Sequence, residues 1–95
     1  MFELKGRVKQ VLPPKTGIGA RGPWGTQTIV IEYQDGQYTT TLAIENSRNY
    51  ENFGKLREGQ TGTFKCNVKS REYQGRWFTS VECFQWNIDT GDEPI

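Results

Sequence analysis

In this sequence, the side chains whose types and spacing indicate a binding chemistry are cations and aromatic rings. Near the start, Lys5, Arg7 and Lys9 occupy alternate positions. A second group of cations and rings follows residue 64: Lys65, Lys69, Arg71, Tyr73, Arg76, Phe78, Phe84 and Trp86. Cations attract anionic groups, and exposed rings stack on flat ones. The pattern therefore indicates a surface that binds an anionic ligand with flat aromatic parts.

The residues on which most catalytic and metal sites depend are scarce. The sequence contains no histidine, which excludes Ser-His-Asp and Cys-His triads, His-ligated zinc and an imidazole base. Its two cysteines, Cys66 and Cys83, are too few for a four-thiolate zinc site, and we expect them to be small buried side chains. No pair of carboxylates stands out as an acid and a base. We predict a protein without enzymatic activity, metal or cofactor.

Short strands must position the first half of these residues. The alternation over residues 2–12 predicts a strand, and the Gly- and Pro-rich residues 13–25 predict a loop that carries Arg21 and Trp24. That loop contains a G-x-G-x-x-G pattern, but no helix follows it to hold a pyrophosphate. Strands about 26–33 and 38–45 flank an Asp35-Gly36 turn, in a register that pairs Ile29 with Leu42.

A short helix and two longer strands complete the predicted order. Residues of about 47–57 predict the helix, with Tyr50, Phe53 and Leu56 facing a core. Strands about 61–71 and 76–88 meet at a Gln74-Gly75 turn, which sets Cys66 opposite Cys83. This order predicts an all-β protein, a five-stranded OB-fold Greek-key barrel with one short helix between strands 3 and 4. Another small barrel, such as an SH3-like one, is the alternative.

The barrel topology brings the two basic rows together. Strands one and four are neighbours in an OB barrel, so Lys5, Arg7 and Lys9 are predicted to join Lys65, Lys69 and Arg71 in one patch. Net charge is only +1, but the bases concentrate before residue 22 and between 61 and 80. The last residues are acidic instead, which predicts an OB domain over 1–88 and a flexible tail over 89–95. The longest wholly aliphatic run is 29–31, so we expect a cytoplasmic protein with no membrane partner.

Several segments resemble a known family. They are Glu3–Val8, Val11–Pro13, Gly22–Trp24 and, most specifically, Ser70–Thr79 (SREYQGRWFT). They resemble a family of short bacterial and phage proteins that is related to single-stranded DNA-binding proteins and has an OB fold. The resemblance covers about residues 2–87. In that family Glu or Lys usually follows the glycine at position 22, whereas this chain has Pro23.

The resemblance has implications for the hairpin and for the acidic end. It implies that Arg71, Tyr73, Arg76, Trp77 and Phe78 form the family's characteristic hairpin, with Trp77 a candidate for the core. The end of the chain resembles the acidic tip of bacterial single-stranded DNA-binding proteins, which recruits partner proteins. The corresponding residues are Asp92, Glu93, Pro94 and Ile95. An ordinary solubilising tail is the alternative.

Together these features predict a protein that binds single-stranded DNA, or RNA, with little base specificity. The predicted binding residues are Lys5, Arg7, Lys9, Arg21, Trp24, Lys65, Lys69, Arg71, Tyr73, Arg76, Phe78, Phe84 and Trp86. The alternative is a homodimer or protein-interaction module that uses a face formed by Phe78, Phe84 and Trp86. An oligosaccharide-binding OB domain is a third hypothesis, and it would not need the basic rows.

Overall fold

The computed structural model describes residues 1–89, so the predicted tail residues Asp92, Glu93, Pro94 and Ile95 lie outside the described residues. The described part consists mostly of strands. In chain order the elements are β1 (Phe2–Val11), β2 (Lys15–Gly19), β3 (Gly22–Asp35), β4 (Tyr38–Asn46), α1 (Tyr50–Phe53), β5 (Thr61–Tyr73) and β6 (Arg76–Ile88). The all-β prediction is confirmed.

Strand pairing runs around a ring. β1 pairs antiparallel with both β3 and β5, and β5 continues through β6 and β4 back to β3. The contact between β4 and β6 is parallel and consists of one pair, Glu45 opposite Glu82. The helix lies between β4 and β5, where the sequence predicted it. Apolar side chains of β1, β3, β4, β5, β6 and the helix fill the inside of this ring.

The predicted count of five strands is wrong, because the predicted loop contains a sixth. Residues of β2 pair antiparallel with the first part of β3, from Lys15 opposite Thr26 to Gly19 opposite Gly22. Glycine permits the tight turn, since Gly22 has a φ of 113°. The Trp24 ring lies over Gly17, where an added Cβ would come within 2.7 Å of the ring. The glycines of this segment therefore leave space for an aromatic ring from the paired strand. They belong to a strand and not to the predicted loop.

The β3–β4 register differs from the predicted one by two residues. Asp35 pairs with Tyr38, so the turn centres on Gly36 and Gln37, and Ile29 lies opposite Ile44 instead of Leu42. A shift of two residues leaves every side chain on its predicted face, because the side-chain period of a strand is two. The inward face was therefore predicted correctly despite the wrong partner.

The core is small and includes the one residue of the helix that is fully buried. Phe53 has no exposed surface, and the same is true of Ile29, Ile31, Ile44 and Phe64. The helix spans only four residues and does not reach the predicted 47–57. Gly54 ends it. The Asn49 side chain accepts a hydrogen bond of 2.8 Å from Asn52 Nδ2 but caps no backbone N–H of the helix, so the burial of Phe53 does most to hold the turn against the ring.

A β-bulge in the β5–β6 pair changes which side chains face the core. The predicted register holds from Cys66 opposite Cys83 to the tip, but it shifts between Lys65 and Cys66, which brings Phe64 opposite Trp86. Trp86 consequently packs against Phe53, with ring centroids 4.9 Å apart. The predicted placement of Trp86 on the exposed face with Phe84 is therefore wrong, since Trp86 is partly buried against the core. A bulge adds one residue to one strand and so exchanges the faces beyond it.

Asn46 adds a second connection between β4 and β6, which form only one backbone pair. Only 4% of this side chain is exposed, and its Nδ2 donates a hydrogen bond of 2.8 Å to the carbonyl of Cys83 on β6. Its Oδ1 accepts one of 2.7 Å from the backbone N–H of Asn49. The side chain thus joins β4 to β6 beside their single backbone pair and fixes the start of the helix.

We expect Asn46→Ala to lower the free energy of unfolding by about 1–3 kcal/mol, because it leaves the buried Cys83 carbonyl without its donor. Urea unfolding followed by circular dichroism measures this change. The control is Asn87→Ala at an exposed position of β6, which should change the stability by less than about 0.5 kcal/mol. Equal effects of the two substitutions would contradict the role given to Asn46.

The two cysteines are buried opposite each other as free thiols. The Cys83 Sγ donates to the carbonyl of Gln85 at 3.4 Å. The neighbouring Cys66 thiol and burial both raise the pKa of Cys83, so this thiol stays protonated at neutral pH. Within residues 1–89 no cluster of His, Cys, Asp or Glu is suited to a metal ion.

No helix formed by residues 1–89 has the length and apolar character needed to cross a membrane.

Candidate nucleic-acid interface

The end of the β5–β6 hairpin stands away from the ring. β1 pairs with β5 only as far as Cys66, and β4 pairs with β6 only at Glu82. From Val68 to Val81 the two strands therefore pair only with each other, and we call this segment the arm. It turns at Gln74-Gly75 as predicted, with both residues at positive φ.

One face of the arm combines cations with aromatic rings. Cross-strand pairs of an antiparallel hairpin share a face, and such pairs here are Arg71 with Phe78 and Tyr73 with Arg76. Lys69 belongs to the same face. The rings are well exposed, Tyr73 at 64% and Phe78 at 46%, and the Arg76 guanidinium lies 6.0 Å from the Phe78 ring centroid. The arm thus presents the chemistry predicted for it.

A groove lies at the base of this face, between the arm and β4. We call it the arm groove; its lining residues are Glu45, Lys69, Ser70, Arg71, Phe78, Thr79 and Ser80. The Lys69 ammonium pairs with the Glu82 carboxylate at 3.2 Å, whereas Arg71 is exposed and forms no ion pair within residues 1–89. Among the described residues, Arg71 is therefore the cation of the arm groove that has no ion-pair partner, and Phe78 is the groove's aromatic ring.

A second cleft lies where the β2–β3 hairpin meets the helix. We call it the hairpin cleft, and Pro23, Trp24, Gly25, Ser47, Arg48 and Tyr50 line it. Both of its rings rest on glycines: Trp24 lies over Gly17, and Tyr50 lies over Gly25. Trp24 remains 51% exposed. Rings supported in this way keep their orientation and are ready to stack on a flat ligand.

The two sites are neighbours on the outer side of β4. Glu45 lines the arm groove, and Ser47, two residues along the chain, lines the hairpin cleft. Two residues of extended chain span about 7 Å. The Ser47 hydroxyl also contacts the Thr26 hydroxyl at 3.1 Å, which ties β3 to this path. An extended, linear ligand could therefore cover both sites, and we call the joined surface the track.

The basic row of β1 lies beside Lys65 and ends before the cations of the arm. Lys65 lies opposite Glu3 and therefore shares the outer face of Lys5, whereas Lys69 and Arg71 lie beyond the last β1–β5 pair. Arg7 donates from Nε to a carboxylate oxygen of Glu32 at 3.1 Å. The arm leaves the ring where β1 begins, so of the three predicted β5 cations only Lys65 lies beside the β1 row. Lys5 and Lys9 are exposed on β1, away from both aromatic sites.

The remaining predicted residues lie in several places. Arg21 is at the exposed tip of the β2–β3 hairpin, and Phe84 is 41% exposed beside the bulge. Trp77, a candidate for the core, is 68% exposed on the opposite face of the arm from Phe78. Since Trp86 faces the core, Phe78, Phe84 and Trp86 do not form the single interaction face proposed as the alternative.

The sequence interpretation missed Arg48 and Tyr50 as candidate binding residues. Its helical spacing from Phe53 predicts Tyr50 in the core, and Arg48 follows β4 in a turn. A cation two residues before a ring, directly after a strand, was the available signal. Only the pairing of β2 with β3 brings these side chains to Trp24.

The fold is similar to that of solved single-stranded DNA-binding proteins. The chain is similar to the single-stranded DNA binding protein from Thermus aquaticus, with a TM-score of 0.66, 18% identity and 93% of this chain covered. It spans only 39% of that protein's chain. It is also similar to the small single-stranded DNA-binding protein from Streptomyces coelicolor, with a TM-score of 0.52, 18% identity, and 94% and 93% of the two chains covered.

At the level of sequence, the search of curated proteins finds no match. A family model does match, and it covers residues 3–89, which includes every strand of the ring, the arm and both sites of the track. The chain therefore belongs to the family described as domain of unknown function DUF3127.

Proposed function

We propose that this protein binds single-stranded DNA along the track and catalyses no reaction. The observation that carries the proposal is the arm face, where Arg71, Arg76, Tyr73 and Phe78 are exposed together above the arm groove. Unpaired bases present flat faces to the rings, and the phosphates between them meet the cations. The hairpin cleft offers a second ring-lined position next to the first.

The fold supports this proposal. We infer that the ring of β1, β3, β4, β5 and β6 is an OB barrel, to which β2 adds an extra hairpin strand. Nucleic-acid ligands of OB folds lie across the face of strands two and three, between the loop that joins strands one and two and the loop that joins strands four and five. In this chain these loops are the β2–β3 hairpin and the arm, which border the track.

Flat ligands of other kinds fit the charges less well. An oligosaccharide would use the rings but has no need of Arg71, Arg76 and Arg48. A duplex hides the faces of its bases, so it could meet the cations but not stack on Trp24 or Phe78. Single strands use both kinds of group at once, and this combination distinguishes them from duplex DNA.

Fluorescence anisotropy of a labelled single strand of mixed sequence, about 30 nucleotides long, tests the proposal. We expect saturable binding at about 50 mM salt that weakens steeply as salt rises, because bound phosphates release counterions. The duplex of the same sequence should bind more weakly. Phe78→Ala should lower the affinity for the single strand about 5- to 100-fold.

The matched control is Tyr38→Ala. This ring is 75% exposed but lies at the β3–β4 turn, outside the track, so its loss should leave binding unchanged. Absence of binding at micromolar protein in low salt would overturn the proposal. Equal losses from the Phe78 and Tyr38 variants would show that binding does not use the arm groove.

A further inference from the structure

One carboxylate lies inside the proposed binding surface. Glu45 lines the arm groove together with Arg71 and Phe78, although an acid repels phosphates. Within residues 1–89 the ion pairs are Arg7 with Glu32 and Lys69 with Glu82, so Glu45 has no ion-pair partner in this part of the chain. Its two oxygens are therefore free to accept hydrogen bonds from a ligand.

The groove residues are arranged to hold one nucleotide. The Phe78 ring provides a stacking surface, and Arg71 on the paired strand provides a cation for the phosphate. The hydroxyls of Ser70 and Thr79 hydrogen-bond each other at 3.0 Å, which links the two strands of the arm beside the groove. A base that stacks on Phe78 would then present its edge toward β4, where Glu45 lies.

Bases differ in what they offer a carboxylate. Guanine presents adjacent N1–H and N2–H donors, which match the two oxygens of a carboxylate. Cytosine and adenine each offer an exocyclic amino group next to a ring acceptor. Thymine offers a single N3–H between two carbonyl oxygens, which a carboxylate repels. The arm groove should thus bind thymine least well and guanine best.

We propose that Glu45 makes the arm groove a base-selective subsite that favours guanine and disfavours thymine. This inference rests on the proposed function, and it differs from the expectation of little base specificity. A second carboxylate, Glu82, reinforces the selection by occupying Lys69 at 3.2 Å, which leaves the Glu45 carboxylate to the base.

Competition between three labelled single strands tests the subsite. One contains only thymine, one has isolated guanines placed at intervals among the thymines, and one has inosine at those positions. Isolated guanines cannot form the guanine runs that quadruplexes require. We expect the guanine strand to bind at least about fivefold more tightly than the thymine strand. Inosine, which lacks the N2 amino group, should lie between them.

Glu45→Gln is the decisive variant. A glutamine amide accepts through only one oxygen and can donate to thymine O4, so the guanine preference should fall to within about twofold. Glu58→Gln is the control, because it removes the same charge from an exposed position outside the track. It should keep the wild-type preference.

The failures of the two proposals are distinguishable. If the wild-type protein binds none of these strands and no mixed-sequence strand, the proposed function itself is wrong. If it binds the guanine and thymine strands equally, or if Glu45→Gln keeps the full guanine preference, the subsite alone is overturned.

Discussion

Phe53→Ala is expected to lower the free energy of unfolding by about 3–5 kcal/mol, because large-to-small changes at fully buried aromatic positions have this effect. The Phe53 ring has no exposed surface and packs against Trp86 at 4.9 Å. A domain of this size has a total stability of only about 5–14 kcal/mol. The melting temperature should therefore fall by more than about 10 °C.

The loss of stability should be unusually large because the Phe53 side chain both anchors the helix and packs against Trp86. Phe53 is the only buried residue of the four-residue helix, so without it the helix has no anchor in the core. Trp86 would at the same time lose its ring partner on the inside of β6. A cavity at this point cannot close easily, since the ring of strands around it has fixed pairing.

Chemical unfolding with a matched control measures this effect. Phe84→Ala makes the same change on β6 at a ring that is 41% exposed, and it should lower the stability by no more than about 1 kcal/mol. The m-value should stay the same in both variants if the native ring of strands persists. A Phe53 variant as stable as the Phe84 variant would contradict the role of Phe53 as the anchor.

The faces of the long strands could be predicted from the sequence because they depend on alternation alone. Phe2, Leu4 and Val8 point inward as predicted, and Cys66 lies opposite Cys83. The Gln74-Gly75 turn also follows from local chemistry, since this position needs residues at positive φ. These features require no knowledge of which strands become neighbours.

Features that depend on contacts distant in the chain could not be predicted. The bulge near Cys66 leaves no local signal, yet it moves Trp86 from the outer face to the core. The strand β2 forms in a Gly- and Pro-rich segment because Gly17 accepts the Trp24 ring from the paired strand. Propensity argues against a strand there, and tertiary contact overrides it.

The candidate site was predicted in composition but not in layout. The hairpin residues Arg71, Tyr73, Arg76 and Phe78 share a face, as alternation requires. The track also needs Glu45 and Arg48, which reach it only because β4 passes below the arm and then leads into the helix. Topology, rather than residue type, decides which charges accompany the rings.

The double variant Arg71→Glu/Arg76→Glu is expected to weaken single-strand binding by about 100-fold or more. Each arginine can make a charge-assisted bond to phosphate worth about 1.5–3 kcal/mol, and two such losses amount to at least about two factors of ten. The slope of log affinity against log salt should also become shallower by about 1.4, since each contact with a single strand contributes about 0.7.

Stability should change little in this variant. Both arginines are exposed on the arm, which pairs only with itself beyond the ring, and surface substitutions of this kind usually change stability by less than about 0.5 kcal/mol. Circular dichroism and urea unfolding check this independently of DNA. A loss of binding with unchanged unfolding then reports on the interface and not on the fold.

Lys5→Glu/Lys9→Glu is the informative comparison, because it makes the same change of charge on β1. The sequence pattern predicts these lysines in the binding patch, whereas the structure places them away from the rings of both track sites. If DNA follows the track, this variant retains only a longer-range electrostatic effect, which salt screens at about 8–10 Å. It should therefore lose much less affinity than the arm variant in about 150 mM salt. If both variants lose affinity equally, the nucleic acid contacts β1, and the path along β4 from arm to hairpin cleft is wrong.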